Sequence, residues 1–367
     1  MKITALREEL LKPLQIVSSV VERRQSSPIL ANTLLSVSGN QLTLTGTDLE
    51  VEMVSHSQLM DADTTGDITL PARKLMDLCK TLPDGAKLEI AIDNERATIR
   101  SGRSRFTLAT LPAVEFPNVE PIDESQTLKI SQVQLKTLID QTHFAMAQQD
   151  VRYYLNGLML EVTANQVTAV ATDGHRLAHC QIETTTGANE DRQVIIPRKG
   201  ITELARLLEP VDEPVELQLS KNHIRVVLPQ VTFTSKLIDG KFPDYQQVIP
   251  QNPDKILTCG RSALHQAFNR IAVLSNEKFR GMRLQLGENQ LKASVNNPEQ
   301  EEAEEEIEVK YDNDGFEIGF NIGYFIDALS VIKTDEVSVY FTDANHSCLV
   351  QGVNDGQSKY VIMPMRL

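Results

Sequence analysis

The sequence is poor in cysteine, and its four cysteines lie far apart along the chain, at Cys79, Cys180, Cys259 and Cys348. No two of them form the C-x-x-C spacing that zinc ribbons use, which argues against a structural zinc site of that kind. Dispersed single cysteines are typical of reduced thiols inside a folded protein. We therefore expect structural thiols rather than a disulfide or zinc framework.

Long apolar segments are missing as well. The longest stretch without a charged residue, 25–47, contains Pro28, Gly39, Gly46 and many polar residues, which excludes a membrane-spanning helix there. The first residues, MKITALREELL, contain no apolar block and do not have the pattern of a signal peptide. These two features lead us to expect a cytoplasmic protein.

Basic charge is in deficit, with 36 Lys and Arg against 50 Asp and Glu and a net charge of −14. This average argues against a simple basic nucleic-acid binder, although it says nothing about how the charge is distributed. The hydrophobic fraction of 41% and the charged fraction of 23% are those of a globular protein. A chain of 367 residues is long for one hydrophobic core, which indicates two or three domains.

What the sequence does contain is an internal repeat. The segment LTLTGTDLEVEM (42–53) resembles VTAVATDGHRLAHC (167–180), because each alternates like a strand, passes through Thr-Asp and continues as a second strand. A weaker third copy, LKASVNNPEQEEAEEEIEV, has Asn297 where the other two have Asp48 and Asp173. Successive positions are 125 and 124 residues apart.

Two further series repeat at the same distance. The segments LPARKLMDLCKTL, IPRKGITELARLL and FNIGYFIDALSVI place Lys74, Lys199 and Tyr324 at intervals of 125 residues. The segments EFPN and KFPD place Pro117 and Pro243 at a distance of 126 residues, and the last copy ends as VIMPMRL. We therefore predict three tandem domains, with the bounds 1–125, 126–252 and 253–367.

Each repeat follows the same plan of two helices and several antiparallel strands. In the second repeat Leu135, Leu138 and Ile139 share one helical face, and Ser131 with Gln134 fits a capping box at the start of that helix. Alternating segments such as VELQLS and VTFTSKLI predict strands. The sequence therefore predicts an α+β fold, and three such units in a row suggest an arc or a ring segment.

Charge is divided unevenly between the predicted helices and the rest of the chain. The helices contain 14 basic and 7 acidic residues, a net charge of +7, which leaves −21 for the remainder. Two interpretations stay open: solvated faces of ordinary amphipathic helices, or one basic surface that attracts DNA phosphates without sequence preference. The predicted helices are 7–24, 71–82, 131–147, 197–208, 261–275 and 321–333.

The segment TDGHRL (172–177) raises the question of catalysis, because Asp173 and His175 are close together in it. The sequence contains no G-x-S-x-G, no H-E-x-x-H and no glycine-rich phosphate loop that would complete a catalytic site. Asp-Gly between two alternating segments is instead a hairpin signal. We therefore predict no catalytic residue, no metal site and no cofactor.

The repeats and a series of motifs together resemble one family along the whole chain. The motifs are TGTDLE, SGRSRFTLATLPA, QDVRYYLNG, TDGHRL, IPRKG, FPDY, LSNEKFRG, NNPEQEEAEE and MPMRL. In this order they resemble the bacterial DNA polymerase III beta subunits, the sliding clamps. The resemblance implies a head-to-tail ring of two subunits that encircles duplex DNA without sequence specificity. Helices would line the hole, sheets would form the rim, and the ring would have no catalytic activity.

The resemblance also implies partners: a clamp loader, the polymerase III alpha subunit, and other polymerases or repair proteins that carry clamp-binding peptides. Their short peptides would enter a cleft where TDGHRL meets VIMPMRL, and methionine and leucine suit an adaptable apolar cleft. Gln246 and Gln247 depart from the family at the rim, where arginines are expected. The predicted cleft residues are Arg152, Tyr154, Leu155, Thr172, Gly174, His175, Arg176, Leu177, Pro243, Val248, Asn321, Tyr324, Ser347, Val361, Met363, Pro364, Met365, Arg366 and Leu367.

Contacts between subunits and with DNA follow from the resemblance in the same way. The basic segment RSGRSRFTLATL of one subunit would meet the acidic run NPEQEEAEEEIE of the next, although such a run is also compatible with a solvated face. The predicted interface residues are Arg103, Arg105, Phe106, Leu108, Val273, Leu274, Glu299, Glu301, Glu302 and Glu305. The predicted DNA contacts are Arg24, Arg73, Gln149, Tyr153, Tyr154, Lys199 and Phe279.

Two alternatives of other classes stay open from the sequence alone. One is an enzyme with an Asp–His site, and the other is a protein-only scaffold that uses the same cleft. Retention on nicked circular DNA that is lost when the DNA is linearised would distinguish a DNA-encircling clamp from both.

Overall fold

A computed structural model describes residues 1–21, 27–62, 65–93, 95–117, 126–251 and 253–366. The chain forms two compact units, and each draws on more than one stretch of sequence. The first unit comprises Met1–Ile130, Thr202–Leu207 and Glu213–Leu237, and the second comprises Ser131–Ile201, Leu208–Asp212 and Ile238–Leu367.

Six α-helices lie in the described ranges, two in each sequence repeat. They are α1 (Arg7–Val17), α2 (Ala72–Thr81), α3 (Gln132–Asp140), α4 (Arg198–Leu207), α5 (Arg261–Ala272) and α6 (Ile322–Val331). Helix α1 packs against α2, and α5 packs against α6. The predicted apolar face of α3 is buried, as Leu135, Leu138 and Ile139 show.

All six helices are shorter than the sequence predicted, and the difference is largest in α1 and α3. Helix α1 ends at Val17 instead of continuing to residue 24, and the Ser19 hydroxyl donates to the Ile16 carbonyl at 2.8 Å just beyond its end. Helix α3 ends at Asp140 instead of residue 147, and the Thr142 hydroxyl donates to the Leu138 carbonyl at 2.6 Å just beyond its end. Serine and threonine hydroxyls compete with the backbone for helix carbonyls in this way.

The start of α3 has the predicted capping box. The Ser131 hydroxyl accepts a hydrogen bond from the Gln134 N–H at 3.4 Å, and the Gln134 side chain accepts one from the Ser131 N–H at 3.1 Å. Helix α6 has a related cap, because the Asn321 side chain accepts from the Gly323 N–H at 2.9 Å. Each cap satisfies N–H groups that the first helical turn leaves without a partner.

The first unit contains two sheets, built from antiparallel ladders between neighbouring strands. In spatial order the five-stranded sheet consists of β5 (Asp61–Ala62), β1 (Lys2–Leu6), β7 (Lys87–Asp93), β8 (Arg96–Ser101) and β9 (Ser104–Ala109). The eight-stranded sheet consists of β10 (Gln126–Ser131), β15 (Pro214–Leu219), β16 (His223–Val227), β17 (Val231–Lys236), β4 (Val51–Gln58), β3 (Gln41–Thr47), β2 (Asn32–Ser38) and β6 (Gly66–Pro71).

The second unit also contains an eight-stranded sheet and a smaller one, again with antiparallel ladders. The larger sheet consists of β14 (Arg192–Pro197), β11 (Gly157–Val162), β12 (Gln166–Thr172), β13 (Arg176–Glu183), β25 (Ser358–Ile362), β24 (Cys348–Gly352), β23 (Glu336–Phe341) and β18 (Lys255–Gly260). The smaller sheet consists of β21 (Glu302–Glu308), β20 (Gln290–Asn296), β19 (Gly281–Gly287) and β22 (Phe316–Asn321).

The eight-stranded sheets cross the boundaries of the sequence repeats. Strand β17 of the second repeat pairs with β4 of the first, where Phe233 lies opposite Met53. Strand β13 of the second repeat pairs with β25 of the third, where Ala178 lies opposite Tyr360. The two compact units therefore divide the second repeat. The predicted domain bounds at 125 and 252 fall on residues outside the described ranges, so the three-domain division stays a prediction.

All four cysteines are buried and none forms a disulfide bond. Burial raises the pKa of the Cys79 thiol and of the Cys180 thiol to about 11, so both stay protonated near neutral pH. Within the described ranges no helix has the length and apolar composition that crossing a bilayer requires.

Candidate functional site

The turn at Asp173 connects β12 with β13 and uses the aspartate to hold the backbone. Asp173 Oδ1 accepts hydrogen bonds from the N–H groups of His175 at 2.9 Å and Arg176 at 3.0 Å, and Oδ2 accepts from Arg176 Nε at 3.1 Å. Gly174 adopts a φ of +88°, which favours glycine. Both carboxylate oxygens therefore have structural partners, and the hairpin prediction is confirmed.

The first repeat has the same turn, and the third repeat has a related one. Asp48 Oδ1 accepts from the N–H groups of Glu50 at 2.9 Å and Val51 at 2.7 Å, between β3 and β4. Asn297 Oδ1 accepts from the Glu301 N–H at 2.9 Å, between β20 and β21. A short polar side chain that bonds to the backbone a few residues ahead stabilises a turn. At all three positions the side-chain oxygen therefore has a structural role, which is to stabilise a turn.

An apolar cleft opens beside this turn, with a volume of about 200 Å³. Leu155, Leu177 and Val361 belong to the buried core beneath it, together with Phe242 and Tyr245. We name it the apolar cleft. Its lining residues are Arg152, Tyr154, Leu155, Thr172, Gly174, Arg176, Leu177, Phe242, Pro243, Asp244, Tyr245, Val248, Val361 and Met363.

The apolar cleft brings together eleven of the predicted cleft residues and adds three that the sequence analysis missed: Phe242, Asp244 and Tyr245. These three flank Pro243 in the motif FPDY, so the motif itself was the available signal. The predicted residues that do not line the apolar cleft are His175, Asn321, Tyr324, Ser347, Pro364, Met365 and Arg366. Leu367 lies outside the described residues.

Asn321 and Tyr324 line a second cleft, with a volume of about 570 Å³. It lies along α5 and α6, where Asn269, Val273 and Asp327 also contribute to its wall. The apolar cleft is lined by residues of the second and third repeats, whereas all residues that line this second cleft come from the third repeat. We name this one the helix cleft.

Arg152 lies at the edge of the apolar cleft and is held by Asp150 through two hydrogen bonds, Nε to Oδ1 at 3.0 Å and Nη2 to Oδ2 at 2.9 Å. This pairing lowers the pKa of Asp150 to about 2 and raises that of Arg152. A Cβ at residue 174 would lie 2.8 Å from the Arg152 guanidinium nitrogens. Glycine at that position therefore lets the guanidinium pack against the turn.

A buried histidine supports the apolar cleft from below. His179 is only 5% exposed, its ring centroid lies 5.7 Å from that of Tyr245, and the Tyr245 hydroxyl donates to Glu161 Oε2 at 3.2 Å. His179 Nδ1 has no hydrogen-bond partner within the described ranges. Burial, with a smaller contribution from Lys359, lowers the pKa of His179 to about 4, so the ring is neutral near pH 7.

The end of the chain is docked rather than frayed. The Met363 N–H donates to the His175 carbonyl at 2.9 Å, and the Met365 N–H donates to the Gly319 carbonyl at 2.9 Å. Met363 is 40% exposed, so its side chain offers apolar surface at the cleft. Terminal residues are ordered when backbone bonds hold them.

The predicted DNA contacts have varied surroundings. Tyr153 and Phe279 are more than half exposed, at 56% and 58%, and Tyr153 packs edge-on against Tyr154. Gln149 is exposed and has a φ of +55°. Arg73 donates to the Val21 carbonyl at 2.8 Å from α2. Lys199 is half-buried in α4, and Arg24 lies outside the described residues.

The predicted interface residues lie at two sheet edges. Strand β9 ends the five-stranded sheet, with Arg103 and Arg105 exposed and Phe106 and Leu108 half-buried. Strand β21 ends the smaller sheet of the second unit. The acidic positions Glu299, Glu301 and Glu302 are exposed there, whereas Glu305 pairs with Arg270 at 2.6 Å.

Two further predicted interface residues, Val273 and Leu274, lie directly after the end of α5. Val273 is 79% exposed, and Leu274 beside it is half-buried. Within the described ranges no group of three or more His, Cys, Asp or Glu side chains is arranged to hold a metal ion.

Comparison with known families covers nearly the whole chain. The model of the DNA polymerase III beta subunit N-terminal domain matches residues 1–120. The models of the central and C-terminal domains of the same subunit match residues 129–244 and 246–366.

Individual relatives agree with these matches. The chain is 54% identical to the beta sliding clamp of Pseudomonas putida and 48% identical to that of Escherichia coli K12, in each case over 100% of both chains. A crystal structure of the DNA polymerase III subunit beta from Pseudomonas aeruginosa superimposes with a TM-score of 0.97 at 54% identity over 100% of both chains. A sliding clamp from the same organism, bound to griselimycin, gives a TM-score of 0.96. The chain therefore belongs to the family of DNA polymerase III beta subunits, the beta sliding clamps.

Proposed function

We propose that two copies of this chain close head to tail into a ring around duplex DNA, with helices lining the hole and sheets at the rim. A sliding clamp is a processivity factor that keeps a DNA polymerase on its template and does not catalyse a reaction itself. The observation that carries the proposal is the likeness to sliding clamps over the full length of both chains. In the cell the ring would act in the cytoplasm, where a clamp loader would place it on DNA.

The two open sheet edges support a head-to-tail contact. Strand β9 offers unpaired backbone groups beside Arg103 and Arg105, and β21 offers them beside a run of glutamates. Edge strands of opposite charge are suited to extending one sheet across a subunit boundary, which also removes two exposed edges. The exposed Val273, with Leu274, would provide the apolar centre of this contact. Two identical contacts would close a ring of two subunits.

The helices carry the basic charge that a DNA-facing surface requires. Within their observed bounds the six described helices contain 11 basic and 6 acidic residues, in a chain with a net charge of −14. Electrostatic attraction to phosphates does not depend on sequence, so it permits sliding along duplex DNA. Arg24, Arg73, Gln149, Lys199 and the aromatic side chains of Tyr153, Tyr154 and Phe279 are the proposed contacts.

Partner proteins would bind at the apolar cleft through short peptides, and the polymerase III alpha subunit would be one of them. A leucine or phenylalanine anchor buried against Leu177, Val361 and Met363 would contribute about 1.5–3 kcal/mol before ordering costs are subtracted. His175, Ser347, Pro364, Met365 and Arg366, together with the helix cleft residues Asn321 and Tyr324, would contact a longer peptide outside the apolar cleft.

Retention on circular DNA tests the ring. The protein is loaded by clamp loader and ATP onto nicked circular DNA and separated from free protein by gel filtration. We expect it to stay with the circle and to leave when the circle is linearised, because a ring can only slide off a free end. Equal retention on circular and linear DNA would contradict encirclement. Arg24→Ala with Gln149→Ala should weaken retention and leave the dimer intact.

Truncation tests the apolar cleft. Removal of residues 363–367 deletes Met363 and its docked backbone, so the affinity for a fluorescein-labelled peptide from the C-terminus of the alpha subunit should fall at least tenfold. Sedimentation of the truncated protein should still show a dimer, because the proposed interface lies elsewhere. Unchanged peptide affinity in a dimeric truncation would refute the proposed site.

A further inference from the structure

A cationic centre lies beside the apolar cleft, formed by the guanidinium of Arg176, whose side chain is only 13% exposed. Nε donates to Asp173 Oδ2 at 3.1 Å, Nη1 donates to Asp327 Oδ2 at 2.5 Å, and Nη2 donates to the Phe144 carbonyl at 2.9 Å. The planar fork of arginine is suited to several acceptors in fixed directions, which lysine cannot match. Three different segments therefore hold one side chain.

Two aromatic rings complete the surroundings of this guanidinium. Its central carbon lies 4.5 Å from the centroid of the Tyr324 ring and 5.3 Å from that of Phe144. Both distances are within the range of cation–π attraction. Asp327 and Tyr324 both belong to α6 of the third repeat, whereas Arg176 begins β13 of the second. The cluster thus ties α6 to the strand that forms one wall of the apolar cleft.

The members of the cluster have different positions relative to the clefts. Arg176 lines the apolar cleft, whereas Asp327 lines the helix cleft. In the β13–β25 ladder Arg176 lies opposite Ile362, the residue before Met363. Asp327 can therefore influence the wall of the apolar cleft through Arg176, although it does not line that cleft itself.

We propose that Asp327 is a positioning residue for the apolar cleft: it fixes Arg176 from α6 and so keeps the wall formed by Arg176 and Leu177 in place for a partner peptide. The inference rests on the proposed peptide-binding function. Without Asp327 one arm of the guanidinium loses its acceptor and the wall gains freedom. A peptide must then order that wall on binding, which lowers its affinity.

The test compares two carboxylate truncations of matched exposure. Asp327 and Glu317 are each 45% exposed and each pair with an arginine, but neither Glu317 nor its partner Arg283 lines the apolar cleft. Asp327→Ala should weaken binding of the fluorescein-labelled alpha-subunit peptide about three- to tenfold, a typical coupling between residues in contact. Glu317→Ala should change the affinity by less than about twofold, as expected for an exposed ion pair.

A double-variant cycle separates positioning from an independent effect. If Asp327 acts through Arg176, the variant Arg176→Ala with Asp327→Ala binds the peptide no more weakly than Arg176→Ala alone. Additive losses would overturn the proposal. If Arg176→Ala does not fold, Arg176→Met replaces it in the cycle, because methionine keeps an unbranched apolar side chain and removes every donor to Asp327.

The remaining outcomes are also decisive. Unchanged affinity in Asp327→Ala, with the parent protein binding normally, overturns this inference alone. Failure of the parent protein to bind the peptide overturns the proposed function and this inference with it. A loss in Asp327→Ala that matches a loss of folded protein, measured by thermal unfolding of the same sample, would assign Asp327 a role in stability and overturn positioning.

Discussion

Asp173 illustrates how the surroundings of a residue decide its role. Its two carboxylate oxygens accept hydrogen bonds from two backbone N–H groups and from the Arg176 side chain. The carboxylate therefore stabilises a turn. Asp48 holds an equivalent turn in the first repeat without a histidine beside it. Asp-Gly between alternating segments allowed this turn to be predicted. The partners of Arg176 could not be predicted, because Phe144 and Asp327 are remote in sequence.

A first prediction at this scale concerns the buried His179. Its pKa is about 4 in the folded protein and near its ordinary value of 6.5 in the unfolded chain. Between these values the unfolded state binds a proton that the folded state does not, so stability falls as the pH drops from about 6.5 to about 4. The shift corresponds to at most about 3 kcal/mol.

The comparison that isolates this contribution is His179→Phe, which keeps an aromatic ring against Tyr245 and removes the titrating group. Urea unfolding of parent and variant should be followed from pH 7 to pH 4. The parent should lose up to about 3 kcal/mol more than the variant over this range. Parallel losses in the two proteins would show that His179 does not control the acid response.

At the scale of elements, hydrophobic periodicity predicted which segments form helices and strands better than it predicted where these elements end. Alternation identified strands such as β15 and β17, and the period of 3.6 identified the buried face of α3. Helix ends were harder to predict, since Thr137 donates its hydroxyl to the Val133 carbonyl inside α3, whereas Thr142 makes the same kind of bond to Leu138 beyond the end of the helix. A threonine at that position is compatible with either outcome until its side-chain conformation is known.

A second prediction concerns the cap of α3. Ser131→Ala removes the acceptor for the Gln134 N–H and should destabilise the helix by about 1 kcal/mol. Ser131→Asp keeps an acceptor at the same position and serves as the control, with a favourable charge at the helix N-terminus. Hydrogen exchange of the α3 amides should be faster in the alanine variant than in the aspartate variant. Equal exchange in the two would show that the cap contributes little.

At the scale of the whole molecule, the sequence predicted three repeats, and the contacts form two compact units. The difference arises because β17 pairs with β4 and β13 pairs with β25, so each large sheet takes strands from two repeats. Pairing between distant strands of similar pattern is not specified by periodicity, since many partners would bury the same faces. The full-length family likeness was visible in the order of the motifs, although no single motif would have sufficed.

The last prediction concerns the proposed ring. Reversal of Arg103 and Arg105 to glutamate places acidic charge on the edge strand β9, which would face the acidic edge strand β21 of a second copy. Like charges across a contact are unfavourable, so sedimentation at low micromolar concentration should shift from dimer towards monomer. The effect should weaken with added salt, because these side chains are exposed.

A complementary reversal provides the control for this prediction. Replacement of Glu301 and Glu302 by arginine in the same chain should restore part of the dimer, since each contact again joins opposite charges. Peptide binding at the apolar cleft should stay normal in the monomeric variant, because none of the four positions lines that cleft. An unchanged dimer after the Arg103 and Arg105 reversals would place the subunit contact on another surface. Loss of both the dimer and peptide binding would show instead that the reversals disturb the fold, which circular dichroism would detect independently.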